Sequence, residues 1–202
     1  MNPFISVWLH PKQTARYVID HKPIWFAIVL GLVGFIATGF SVFQDSEVYP
    51  DFSYVWIFLI SIFLAPLLGI VIMFIYAGVI YLMGKLLKGT GAFWDVFKAS
   101  SLSYIPTIIT GPLYILWMFV APESFFFPYV TDAFAIIMSI ITIVTMIWGI
   151  VISVGAIAEA HQFSIMRAIV TIIVPTILLI IFLTIIFAII AIIFVGLFSS
   201  FV

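Results

Sequence analysis

All seven lysines and arginines of this chain fall in three short stretches, and five hydrophobic runs separate those stretches from loops holding only acids. Lys12, Arg16 and Lys22 precede the first run; Lys85, Lys88 and Lys98 lie between the second and third; Arg167 lies between the fourth and fifth. The alternate loops carry Asp45, Glu47 and Asp51, then Glu123 and Asp132. Short loops rich in Lys and Arg stay on the cytoplasmic side of a membrane, so the alternation sets an orientation as well as a fold class. The expectation is an all-α polytopic membrane protein of five transmembrane helices, N-terminus cytoplasmic and C-terminus outside. Composition agrees: 7% charged residues against about 25% in soluble domains.

The spans are expected at about residues 24–43, 54–84, 102–121, 133–158 and 168–198, together one membrane domain over 24–202. About 20 apolar residues suffice to cross the hydrocarbon, so the second and fifth runs are long enough to tilt or to extend past it. Residues 1–23 form an amphipathic segment on the cytoplasmic side. Pro11 suits a first helical position, Lys12, Arg16 and Asp20 share one face, and Ala15, Val18 and Ile19 lie opposite. Such a segment is expected to anchor in the headgroup layer. The first span is expected to be retained, because no basic region runs directly into it. Tyr49, Phe52, Phe125 to Phe127 and Tyr129 occupy the acidic loops, where an interfacial aromatic belt is expected.

Chemistry is sparse. No charged residue or histidine falls near the middle of a span, which argues against proton-coupled carriers, pumps and charged-filter channels. Cysteine is absent, and His10, His21 and His161 are scattered, so no metal site, no cofactor and no catalytic residue is expected. Ser100, Ser101 and Ser103 share a membrane side with His161, but no spacing favours a nucleophile–base pair over interfacial serines. The net charge of -1 and the lack of a basic stripe exclude nucleic acid as a partner.

Other features concern shape and docking. Pro66, Pro106, Pro112 and Pro175 fall in apolar runs, where each is a candidate hinge or kink, with Ser103, Thr107 and Thr110 near enough to satisfy freed carbonyls around Pro106. Gly31 with Gly34, and Gly149 with Ser153, offer small faces for helix contact, within the chain or with another subunit. Lys85, Lys88, Phe93, Trp94, Phe97, Glu159 and His161 are the candidate partner-docking residues. Lys98-Ala99 with Pro106, and Arg167-Ala168 with Pro175, share one interval and suggest that spans two-three and four-five repeat a hairpin. The rest of the two segments aligns poorly, which favours two unrelated helices kinked near their starts.

The opening Asn2-Pro3-Phe4 through Trp8, Pro11 and Thr14-Ala15-Arg16 resembles the start of bacterial Yip1-family proteins. Gly89-Thr90-Gly91-Ala92-Phe93 leading into Ser103-Tyr104-Ile105-Pro106 looks similar to the same family, as does Glu159-Ala160-His161 leading into Arg167-Ala168 and Pro175. The resemblance covers essentially the whole chain and implies a five-span fold with no catalytic residues to carry over. Eukaryotic members work in vesicle traffic and contact Rab-type GTPases. This chain lacks their long cytosolic N-terminal region and their Asp-Leu-Tyr-Gly-Pro motif, which argues against a small GTPase as partner of this minimal form. Two functions remain open. One is a non-enzymatic scaffold or accessory subunit in the plasma (inner) membrane, assisting a transporter or envelope-stress system and contacting lipids and another integral membrane protein or itself. The other is passive transport or lipid handling along a path lined by kinked helices.

Overall fold

The computed structural model describes residues 1–198, which form ten α-helices and no strand. Two short helices open the chain, α1 (Pro3–Ser6) and α2 (Pro11–His21), followed by the first span, α3 (Ile24–Ser41). The second span is α4 (Tyr54–Leu59) and α5 (Ala65–Leu86), joined without a break by a π-helical turn over Ile60–Leu64. Then come α6 (Phe93–Ser101), α7 (Tyr104–Val120), the short α8 (Pro122–Phe126), α9 (Ala133–His161) and α10 (Ile165–Phe198). Five helical stretches are long and apolar enough to cross a membrane, beginning at Ile24, Tyr54, Phe93, Ala133 and Ile165. Residues 199–202, the end of the expected membrane domain, lie outside the described residues.

Local chemistry explains the boundaries. Pro66 has no N–H, and its ring would press on the carbonyl of Ile62 in a regular helix; the wider π turn just before it, closed by Ala65 N–H donating to the Ile60 carbonyl, relieves both problems. Asp132 caps α9 by accepting from the Ala135 N–H at 2.7 Å, and that bond holds its carboxyl below the usual carboxylate range. α9 stops where Gln162 turns left-handed at φ 55°.

Two main cores sit toward opposite ends of the bundle. At the basic end, Val7, Ala15 and Val18 pack with Val96, Leu102 and Ile152. At the acidic end, Phe40, Ile57, Trp117, Phe125, Phe126 and Met138 pack together. Lipid tails are as apolar as leucine, so these helices associate through close packing and hydrogen bonds rather than by escape from water. Gly39 shows how close: a Cβ there would lie 2.8 Å from Ser61 Cα, so α3 meets the π turn backbone to backbone.

Several expectations change here. The 1–23 segment also makes helix contacts: α2 packs against α9 and α6, burying Thr14, Ala15 and Val18 completely. Its apolar face is narrow and small, which suits a neighbouring helix. The aromatic belt loses Phe125 and Phe126 to the interior, because α8 folds them back onto Trp117; Tyr49 stacks on Phe126, while Tyr129 stays exposed. Gly31 and Gly34 contact Met73 and Tyr104, so that small face is internal to the chain. Pro106 is the third residue of α7, in a first turn whose N–H groups have no helical acceptor, so it interrupts nothing. Pro112 and Pro175 lie inside α7 and α10, and Pro66 follows the π turn. The two proposed repeat copies also differ: the helix carrying Lys98 ends at Ser101, whereas the one carrying Arg167 runs on to Phe198.

Candidate functional site

Between the two cores, α7 and α9 face one another across a polar gap. Ser103, Thr107, Thr110 and Tyr114 recur at spacings of four, three and four, placing their side chains along one face of α7. Thr142, Thr145, Gly149 and Ser153, at spacings of three, four and four, share one face of α9. Thr38 and Ser41 of α3, Tyr76 of α5 and Ile172 of α10 complete the walls of a cleft of about 470 Å³. At 1.5 Å rise per residue, the α9 stripe is about 16 Å long. The cleft has room for on the order of fifteen waters at ~30 Å³ each. No charged side chain lines it. Tyr114 and Thr142 hydroxyls bond across it at 2.8 Å, tying the two helices together. Gly149 keeps the middle open, since a Cβ there would meet only the Ser103 carbonyl at 3.7 Å.

The basic end is interlocked. Arg16 Nε donates to Glu159 Oε1 at 2.9 Å, and this hydrogen bond raises the guanidinium pKa further, keeping it charged. Thr90 donates to the His161 carbonyl through its N–H at 3.0 Å and through its hydroxyl at 3.3 Å. Lys98 Nζ reaches the Ile19 carbonyl at 2.9 Å, and Trp148 Nε1 the Trp8 carbonyl at 3.0 Å. His161 itself is wholly buried against Gly84 and Gly89, either of which would collide with its ring if it carried a Cβ. Its ring nitrogens have no hydrogen-bond partner among the described residues, and the Ile80 carbonyl faces the ring outside bonding geometry.

All three sequence segments that carried the family resemblance therefore meet at one place. A model of the Yip1 domain matches residues 5–187. The chain belongs to the Yip1 family. No curated protein and no solved structure matches it. The match starts ahead of α2, which fits the packing of that helix against the spans of the Yip1 domain. The protein is accordingly a multi-pass membrane protein of the Yip1 family.

Within the Yip1 domain the docking candidates separate by burial. Trp94 is about half exposed, and Lys85 and Lys88 are exposed. Lys85 is engaged with the Thr90 carbonyl at 3.2 Å and lies over the Tyr81 ring. Phe93 is half-buried; Phe97 and His161 are fully buried and make core contacts. Glu159 is held by Arg16. Ser101 and Ser103 hydroxyls donate to the Lys98 and Ser100 carbonyls, and neither His161 nitrogen meets a serine. Of the hinge candidates, Pro106 and Pro112 flank Thr107 and Thr110 on the cleft wall. The α7 and α9 hydroxyl stripes went unread as a pair in the sequence. Their helical spacing was visible, but only the tertiary arrangement turns two stripes toward each other.

Proposed function

We propose that this protein is a non-enzymatic lipid-handling or passive transport protein of the plasma membrane, and that the cleft between α7 and α9 holds what it handles. The uncharged, hydroxyl-lined cleft itself carries this reading. Hydroxyls in hydrocarbon can bond to carbonyls of their own helix and still keep lone pairs that water or a ligand can meet. Here ten hydroxyl-bearing residues from four helical segments converge on one space. Met146 and Ile150 line the cleft and are themselves exposed, so it opens sideways at hydrocarbon depth, where lipid stands.

Gly149→Leu tests the reading. A Cβ there meets only the Ser103 carbonyl, at an ordinary contact distance of 3.7 Å, so a larger side chain starts from open space in the cleft. Well-folded Gly149→Leu protein, reconstituted in vesicles, is expected to lose lipid or small-solute transfer and to purify with a different set of bound molecules. Unchanged transfer and an unchanged bound set would remove the cleft from the mechanism.

A second reading, an accessory subunit of a membrane complex, is favoured by one observation. Trp94 on α6, about half exposed while resting on Phe74, Phe93 and Phe97, and the exposed Leu86 and Lys88 around the end of α5 offer surface to a membrane partner. Cross-linking in intact cells followed by mild-detergent purification is expected to recover a near-stoichiometric partner that Trp94→Ala with Lys88→Glu loses. Recovery of the chain alone from the unaltered protein would sink this role.

A further inference from the structure

Hydroxyls inside a membrane helix commonly satisfy themselves by donating to a carbonyl one turn back, and several of those in the cleft do so. Thr38 donates to the Gly34 carbonyl at 3.0 Å, Ser103 to Ser100 at 2.8 Å, Thr110 to Thr107 at 3.0 Å and Thr145 to Ile141 at 2.8 Å. A carbonyl oxygen only accepts, so each of these hydroxyl hydrogens is committed. A hydroxyl has one hydrogen and two lone pairs, so each oxygen still accepts. The cleft lining therefore offers more acceptor sites than free donors.

That polarity discriminates between ligands. A phosphate or carboxylate would enter with neither cation nor donor array to balance it, and an ammonium would leave water without a carboxylate to meet it. A neutral group that brings an O–H donor and no charge is the complement.

The space alongside the cleft adds the second half. An apolar groove of about 680 Å³ runs between α9 and α10 toward α2, walled by Val151, Val154 and Ile169 among others. Ile150 and Ile172 line both the groove and the cleft, so the two spaces adjoin, one suited to a polar end and the other to a hydrocarbon tail. We infer that the cleft takes the free hydroxyl end of a neutral glycerolipid of the diacylglycerol type, with its hydrocarbon tail in the adjoining groove. This names the ligand class for the cleft proposed above and rests on that reading. A free polyol shares the donor chemistry but leaves the groove unused. His10 and Lys12 stand at the groove's α2 end, so an anionic lipid is the control that matters.

The experiment uses the full chain in phosphatidylcholine nanodiscs with a photoactivatable diacylglycerol. Competitors are 1,2-dioleoylglycerol, its 3-O-methyl ether, dioleoyl phosphatidic acid and glycerol. The expected result is cross-links on α7 and α9, competition by dioleoylglycerol, and competition at least tenfold weaker by the methyl ether. Thr38→Val with Thr145→Val, which keeps shape and removes two hydroxyls whose hydrogens are committed, is expected to weaken capture about tenfold. Should that variant fail to fold, the ether comparison on the unaltered protein decides. Equal competition by the ether, stronger competition by phosphatidic acid, or competition by glycerol alone would each overturn the assignment. If dioleoylglycerol never competes while Gly149→Leu still changes what the protein binds, the ligand class fails and the cleft stands. If Gly149→Leu changes nothing, the cleft reading fails first.

Discussion

His161 shows why a polar residue in a family motif need not be chemistry. Its ring is wedged against Gly84 and Gly89, and its carbonyl receives both donors of Thr90, so the residue joins α9 to the loop after α5. The neighbouring Arg16–Glu159 pair is partly solvated, with side-chain exposures of 41% and 23%, and pairs of that kind contribute on the order of 0.2–1 kcal/mol. Forcing a methyl into the glycine contact costs more, about 1–3 kcal/mol by overpacking. Gly84→Ala is therefore expected to lower the detergent unfolding temperature more than Arg16→Ala does. Adding His161→Ala to Gly84→Ala should recover part of the loss, because it empties the space the methyl needs. Simple additivity of the two losses would show that the two residues do not share a contact. Phe97 is a parallel case. As an exposed docking aromatic it would be dispensable to the fold; wholly buried, its truncation is expected to cost about 3–5 kcal/mol.

Among the elements, α2 departs furthest from its reading in the sequence. Its periodicity showed an amphipathic helix, and the helix is there from Pro11 to His21. What its apolar face meets was not legible, because lipid and a neighbouring helix both accept a narrow strip of Thr14, Ala15 and Val18. The structure places that strip on α9 and α6. Val18→Asp puts an unpaired carboxylate into the contact, and the expected outcome is release of α2 with the five spans intact. Hydrogen exchange should then rise across residues 11–21 while circular dichroism stays nearly unchanged. Protection of those residues in the variant would mean that α2 is held by other contacts. The prolines divide for a similar reason: an apolar run marks each of them as a candidate kink, but where a helix begins decides whether a proline costs a hydrogen bond. Pro106 sits in a first turn and Pro112 does not.

For the molecule as a whole, alternation of basic and acidic loops fits a bundle whose Lys- and Arg-bearing segments gather at one end. The cysteine-free sequence makes the proposed orientation directly measurable. Single cysteines at Glu47 and Tyr129 are expected to react with an impermeant thiol reagent on intact cells, and one at Lys88 only after permeabilisation. Reaction at Lys88 in intact cells would reverse the orientation. Hydropathy and charge order were sufficient for the five spans, because each span must bury its own backbone polar groups as a helix whatever it packs against. Glycine and hydroxyl positions at helical spacing were equally present in the sequence. Their meaning depended on rotation about each helix axis, which packing between helices sets and hydropathy does not. Hence Gly31 and Gly34 became internal contacts, Phe125 and Phe126 became core, and two separate hydroxyl stripes on α7 and α9 became one cleft.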